Sequence, residues 1–226
     1  HGSPTLDVFR GFGPREGADT FSQVDITNAS GAGEGAHYPD FDTVQSNHAT
    51  SNFNVTIPSG VQVHNDQFQV IVENLTVQSG GAMLDPLAIV RHDVVNHGSG
   101  TFGGTVQGNF SNDAIASSGN TATVNGMILQ GQLQNTAELY LTSTLQTQAA
   151  TANAGNIFLN NNGQLRANAA FTNNGSISIL SVNAYVSGTG TFTNNGPFLW
   201  TAGQITDGAN FVNNSNSFTV SGADSK

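Results

Sequence analysis

The residues best suited to chemistry stand in the stretch "RHDVVNH" at positions 91 to 97, which contains Arg91, Asp93 and His97. Asp85 precedes this stretch by six residues. Carboxylates grouped with an arginine and a histidine can abstract a proton or protonate a glycosidic oxygen. If the chain is an enzyme, we expect these four residues to act in a polysaccharide lyase or a glycoside hydrolase. The alternative, which we favour, is that they are surface residues without catalytic function.

Three carboxylates, of which Asp93 is also a catalytic candidate, each follow an apolar position by three residues. They are Glu73, Asp93 and Asp113. Later in the chain the equivalent positions are Asn174, Asn195 and Asn214. Carboxylates stacked at strand spacing repel one another unless a cation such as calcium lies between them. The pattern predicts a calcium site at the three carboxylates, and its alternative is that Asp and Asn serve here only as turn residues.

A third candidate site consists of the aromatic residues Tyr140 and Phe158. They occupy the middle positions of "LYL" (139 to 141) and "IFL" (157 to 159), and the alternation of apolar residues directs both outward. Two aromatic rings at neighbouring positions offer a surface on which a sugar ring can stack. The alternative is that an adjacent loop or the N-terminal segment covers them. By the same alternation, Trp200 points inward.

Composition limits the classes of partner. The 226 residues are 37% hydrophobic, which allows a sizeable core, but only 9% are charged, against roughly 25% in ordinary soluble domains. A net charge of −10 with five basic residues leaves no basic surface for nucleic acid or for an anionic membrane. No apolar run approaches the roughly 18 residues of a membrane span. The absence of cysteine excludes disulfides and thiolate metal sites.

Apolar residues recur at intervals close to 20 throughout most of the chain. The first series is Val55, Leu75, Val95, Ile115, Leu139, Ile157, Ile177, Phe198 and Phe218. The second series is Leu145, Leu165, Tyr185 and Ile205. The third series is Val70, Val90, Phe110, Phe171, Phe192 and Phe211. Three apolar series per period predict up to three short strands in each turn of a repeating structure.

Within each segment the alternation has a period of two residues, and Gly, Asn and Ser separate the segments. This pattern predicts an all-β fold, a right-handed parallel β-helix (β-solenoid) of eight to nine rungs with about 20 residues per rung. We assign residues 53–226 to the β-helix and residues 1–52 to an N-terminal cap or irregular segment. The opening "HGSP" resembles an expression-tag remnant. We expect the last rung to continue in a longer chain or to associate with a partner, end to end or edge to edge.

Units such as "FTNNGSISI" (171 to 179) and "LTVQSGGAM" (75 to 83) make residues 53–222 resemble secreted bacterial β-helices of the filamentous haemagglutinin and autotransporter-passenger kind. The resemblance implies an extracellular or cell-surface rod without enzymatic activity. Such a rod is a stalk or an adhesive module that binds carbohydrate or a host-surface protein, and no cofactor other than calcium is expected. The alternatives are a polysaccharide-active β-helix and a phage tail or filament component.

Overall fold

The computed structural model describes residues 5–7, 24–25, 54–57, 59–60, 62–64, 71–84, 86–87, 89–114, 119–206 and 210–222. The described residues form 26 β-strands and no helix. All pairs of strands are parallel, and they stack as a β-solenoid of about seven turns, with turns about 20 residues apart. The predicted all-β solenoid is therefore confirmed, with about seven turns where the sequence predicted eight to nine rungs.

Each full turn passes three faces, and strands are numbered in chain order. The first face contains β1 (Thr5–Asp7), β4 (Gln62–His64), β7 (Ala82–Met83), β10 (Ser99–Val106), β12 (Ala122–Leu129), β14 (Glu138–Leu141), β17 (Asn156–Leu159), β20 (Ser176–Ile179), β23 (Phe198–Trp200) and β26 (Phe218–Val220). The second face contains β5 (Ile71–Val72), β8 (Ile89–Val90), β15 (Thr144–Thr147), β18 (Gln164–Ala167), β21 (Tyr185–Ser187) and β24 (Gln204–Ile205). The third face contains β2 (Val24–Asp25), β3 (Asn54–Ile57), β6 (Asn74–Val77), β9 (Val94–Asn96), β11 (Phe110–Asn112), β13 (Leu133–Asn135), β16 (Thr151–Asn153), β19 (Phe171–Asn173), β22 (Thr191–Asn194) and β25 (Asn210–Asn213).

The first and second faces belong to one sheet because two long strands run across the corner between them. The first halves of β10 and β12 pair on the first face and their second halves on the second face, with a register shift between Phe102 and Gly104. Gly104 and Gly126 have φ angles of 65° and 77° at this bend. A positive φ favours glycine, so these two residues let a single strand turn the corner.

The apolar series read from the sequence changes face along the chain. Val55 and Leu75 lie on the third face, where Leu75 pairs with Val94 and not with Val95. The later members of the same series form a column on the first face. They are Leu139, Ile157, Ile177, Phe198 and Phe218. From β3 to β25 on the third face, the spacing between stacked residues varies from 16 to 23. Residues separated by a constant interval of 20 therefore lie on different faces in different turns.

The second and third series need smaller corrections. Val90 pairs with Val106 on the second face, whereas Phe110 lies on the third face in the column of Phe171. Leu165 pairs with Val186, which leaves Tyr185 directed outward beside Gln164. Three short strands per turn are nevertheless what the sequence predicted.

Phenylalanine side chains fill the C-terminal part of the core as two stacks. On the third face the rings of Phe171 and Phe192 are 5.0 Å apart and nearly parallel, and Phe211 continues the stack at 5.2 Å. On the first face Phe198 and Phe218 stack at 5.2 Å. Phe192 and Phe198 meet edge to face at 89°, which joins the two stacks. Each favourable ring pair contributes about 0.5–1.5 kcal/mol beyond the area that it buries.

The first turns are described only in part. β1 pairs with β4, and β2 pairs with β3, so two short segments from the predicted cap add to the two sheets in parallel. The remainder of residues 1–52 lies outside the described residues. In the described part of the chain, no helix is long and apolar enough to span a membrane.

Candidate functional site

A column of buried asparagines runs along the third face, and we call it the inner Asn ladder. It consists of Asn96, Asn112, Asn135, Asn153, Asn173, Asn194 and Asn213. Each amide nitrogen donates to the side-chain oxygen of the next asparagine along the chain, over 2.7–2.9 Å. Every member except Asn213 is buried. A neutral amide can both donate and accept, so this polar column crosses the core without burying a charge.

The same amide groups also hold the corner that follows the third face. The Nδ2 of Asn173 donates to the carbonyl of Gly175 over 3.0 Å, and Asn194 binds the carbonyl of Gly196 in the same way. A Cβ atom on Gly196 would lie 1.8 Å from the carbonyl oxygen of Gly175. The repeated "NNG" therefore supplies a corner amide and a residue without a side chain where successive turns approach each other.

The second asparagine of each "NN" pair forms an exposed column with the opposite polarity. Asn195 donates to Asn174 over 3.0 Å, and Asn214 donates to Asn195 over 2.9 Å, so here the later residue is the donor. These are the three asparagines that the sequence placed in one column. Asp113 precedes them in that column, since Asn112 pairs with Asn135 and the register continues from there to Asn173.

The other two carboxylates of the predicted calcium site lie in other columns. Glu73 faces Arg91 and His92, with Oε1 at 3.0 Å from Arg91 Nη1 and Oε2 at 3.1 Å from His92 Nε2. Asp93 stacks on Asn74 and its Oδ1 accepts from the backbone N–H of Asn109 over 2.7 Å. The described residues contain no group of three His, Asp or Glu side chains arranged to hold a metal ion. The stacked triple of carboxylates is therefore not formed.

Three of the four candidate catalytic residues are described, and each of these three has a partner of its own. Arg91 Nη1 donates a hydrogen bond to Oε1 of Glu73, and Oδ1 of Asp93 accepts one from the backbone N–H of Asn109. The Nδ1 atom of His97 is hydrogen-bonded to Oδ1 of Asp113. The side chain of Glu73 is only 12% exposed, whereas those of His97 and Asp113 are 44% and 54% exposed. Asp85 lies outside the described residues. The arrangement fits corner stabilisation, and the catalytic hypothesis for these residues stays a prediction.

Tyr140 and Phe158 are neighbours on the outer surface of the first face, as the sequence predicted. The two residues pair directly, and their ring centroids are 4.9 Å apart with planes inclined by 19°. Both side chains are half-buried. They are the aromatic stack that lies outside the core in the described part of the chain, since the other stacks consist of the inward phenylalanines.

The distance and the angle between the rings of Tyr140 and Phe158 show how the two rings stack on each other. The ring planes are nearly parallel and their centroids are 4.9 Å apart, which is the offset-stacked arrangement that aromatic pairs prefer. Their spacing matches the 4.7–4.9 Å separation of paired strands, so each ring remains at the level of its own strand. Each ring therefore covers one face of the other, and the column continues to Thr123 beyond Tyr140 and to Ser178 beyond Phe158.

Glu138 fixes the orientation of Tyr140. The phenolic O–H donates to Oε2 of Glu138 over 2.8 Å. This hydrogen bond raises the pKa of Tyr140 above its ordinary value of 10.0, and burial and the negative charge of Glu138 act in the same direction. The tyrosine therefore stays neutral and keeps its donor occupied at physiological pH.

Apolar side chains extend the aromatic pair toward the C-terminus. Leu199 occupies the same outward column two strands beyond Phe158, and Ser178 lies between them. Leu180, two residues after Ser178, is 42% exposed, and Val182 is 58% exposed. An exposed apolar patch with a polar rim is typical of an interaction surface. The sequence had identified Tyr140 and Phe158, and it placed Ser178 and Leu199 next in their column, but it had not identified Leu180 and Val182.

An open groove of about 400 Å³ crosses the outer surface of the third face. Its floor is made of small residues such as Ala152, and its walls include Gln134 and Thr172. No acidic, basic or histidine side chain lines it. The groove therefore offers no acid or base for hydrolysis.

The chain was also compared with known proteins. No protein-family model, no curated protein and no solved structure gives a significant match.

Proposed function

We propose that the chain is an extracellular structural and adhesive β-helix module, a rod that presents a glycan-binding face. The observation that supports this proposal is the outward stack of Tyr140 and Phe158, with the half-buried Leu199 in the same column and the exposed Leu180 nearby. Aromatic rings held on a rigid sheet bind a sugar by stacking against its C–H groups, with little loss of side-chain entropy.

The interior supports the role of a rod. The inner Asn ladder and the two phenylalanine stacks repeat from strand to strand along the axis. Each turn contacts its neighbours, so the length of the rod can vary while the local packing remains the same. Such a scaffold suits a stalk that holds a binding face away from its point of attachment.

The charge distribution favours an uncharged ligand. Residues 167 to 206 contain no charged side chain, and the chain as a whole carries a net charge of −10. An acidic polysaccharide would be repelled by this net charge and would find no cation in this region. A neutral glycan or a glycosylated surface protein is the partner class that we propose.

Binding to immobilised glycans tests this function. We expect neutral oligosaccharides to bind the wild-type chain and expect Tyr140→Ala and Phe158→Ala to weaken binding by about two- to tenfold each, given the contribution of an aromatic contact. Tyr185→Ala is the matched control, because Tyr185 is an outward aromatic residue on the second face. Equal binding by all four proteins would contradict the proposal.

The enzymatic alternative is tested on the same preparation. Incubation with uronic-acid and neutral polysaccharides, followed by assays for unsaturated and reducing ends, should show no new ends above the level of a heat-denatured sample. Release of ends that Asp93→Asn abolishes would replace the adhesive proposal by a lyase or hydrolase, with Arg91 and His97 as the next residues to substitute.

A further inference from the structure

We infer that the outer surface at Ser178 is a slot for one ring, and that its ligand is a neutral pyranose unit of a glycan. This inference rests on the proposed glycan-binding function and specifies its site. The slot is bounded by Phe158 on one side and Leu199 on the other, and Ser178 forms its floor. Leu180, the residue that follows β20, is two residues from Ser178 and is 42% exposed.

The slot exists because one small residue interrupts a column of large ones. The outward column of the first face contains Thr123, Tyr140, Phe158, Ser178, Leu199 and Thr219. Tyr140 covers one face of Phe158, and Ser178 lies on the opposite side of Phe158 in the column. One face of Phe158 is therefore directed into the space above the serine.

The size of the gap favours a puckered ring. Phe158 and Leu199 are two strand steps apart, which amounts to about 9.5 Å along the axis. A flat ring in contact with both walls needs only about 7–8 Å, that is, two carbon–carbon contact distances of 3.5–4.0 Å. A saturated pyranose with axial hydrogens is thicker than a flat ring, so it fills the gap more completely.

The floor and edges offer uncharged hydrogen-bonding groups. Among the residues that the structure describes, the hydroxyl of Ser178 makes no hydrogen bond, although the side chain is half-buried. On the same strand, the hydroxyl of Ser176 donates to Oδ1 of Asn156 over 2.6 Å, which orients the amide of Asn156 at the edge of the slot. Hydroxyl and amide groups next to an apolar wall match the alternating hydroxyl and C–H surface of a sugar.

Two substitutions of Ser178 separate the slot from the rest of the face. Ser178→Phe extends the aromatic stack by one level, and we expect the chain to remain folded while neutral oligosaccharides bind at least about tenfold more weakly. Ser178→Ala keeps the space and removes only the hydroxyl, so binding should weaken by tenfold or less, as for one neutral hydrogen bond. Thr219→Phe is the control, because it enlarges a residue of the same column beyond Leu199.

Titration calorimetry with neutral gluco- and galacto-oligosaccharides, oligogalacturonate and a phenylalanine-rich peptide distinguishes the outcomes. Loss of neutral-sugar binding in Ser178→Phe, with binding retained in Thr219→Phe, supports the slot. Unchanged binding in a Ser178→Phe variant that still melts cooperatively overturns the slot and leaves the glycan-binding face intact. Tighter binding of oligogalacturonate or of the aromatic peptide overturns the assignment to a neutral sugar. If no saccharide binds the wild-type chain, the proposed function fails together with the slot.

Discussion

The amide nitrogen of Asn173 donates to the side-chain oxygen of Asn194 over 2.7 Å, and neither side chain is exposed to solvent. The remaining N–H of Asn173 binds the carbonyl of Gly175. One side chain thus links two turns of the solenoid and closes the corner of its own turn. The ladder to which it belongs gives the third face a register that apolar packing alone does not specify.

Asn173→Ala should lower the free energy of unfolding by about 2–4 kcal/mol, because it leaves one buried N–H of Asn153 and the buried side-chain oxygen of Asn194 without their partner. Asn174→Ala is the matched control, since Asn174 is the exposed member of the same pair. Chemical denaturation of both variants measures the difference, and the control should change by less than about 0.5 kcal/mol. Similar losses in the two variants would show that the inner ladder has no special contribution.

Thr147→Val should stabilise the chain. The hydroxyl of Thr147 is fully buried and has no hydrogen-bond partner in the described part of the chain, and its column neighbours are Leu129 and Ala167. An unpaired buried hydroxyl costs about 1–3 kcal/mol, and valine has nearly the same shape.

The control for Thr147→Val is Thr144→Val, which removes an outward hydroxyl that donates to Gln164 over 2.9 Å. Thermal melting should show a higher midpoint for Thr147→Val and an unchanged or lower midpoint for Thr144→Val. A destabilised Thr147→Val variant would mean that this hydroxyl is hydrogen-bonded in solution.

Glu138→Gln should lower the pKa of Tyr140 toward 10.0, because the hydrogen bond to the carboxylate is its largest perturbation. The pKa of Tyr140 is higher in the folded state than in the unfolded state. The stabilisation of the folded state by the environment of Tyr140 is therefore fully present below pH 10.0, and it is lost as the pH rises through the folded pKa. Ultraviolet titration of tyrosinate, with Tyr140→Phe to assign the signal, measures the shift. If the tyrosinate titration curves of the wild type and of Glu138→Gln coincide, the hydrogen bond to Glu138 is not the cause of the raised pKa of Tyr140.

Calcium should leave the melting temperature unchanged. Glu73, Asp93 and Asp113 lie in three different columns, and each already bonds to other groups of the chain. Melting curves in millimolar calcium and in a chelator should therefore coincide. A rise in the melting temperature that Asp113→Asn abolishes would instead support the calcium hypothesis at that residue.

The spacing of apolar residues was enough to predict the solenoid and the column of Phe171, Phe192 and Phe211, because each turn repeats the same short-range alternation. It was not enough to assign residues such as Glu73 and Asp93 to columns. Stacked positions are separated by 16 residues in one turn and by 23 in the next, and a corner absorbs the difference. An interval measured across two turns of unequal length therefore places a residue in the wrong column.

The pairing of Tyr140 with Phe158 was predictable because both lie in the middle of strands of equal pattern. The orientation of their rings was not, because it depends on the 4.9 Å contact between them and on the hydrogen bond from Tyr140 to Glu138. The depression at Ser178 likewise depends on the side chains of the turns before and after it. To locate this depression, the register of the three strands that contain Phe158, Ser178 and Leu199 had to be known.

The sequence by itself determined that the chain is an all-β solenoid with three short strands per turn, because a period-two alternation between turn residues is a local property of the chain. It also determined that charge is scarce. Only the tertiary structure decided which residues share a column, which asparagine of each "NN" pair is buried, and where the outer surface has an opening. These features depend on contacts between residues about 20 positions apart, and the variable length of the corners hides those contacts from any fixed period.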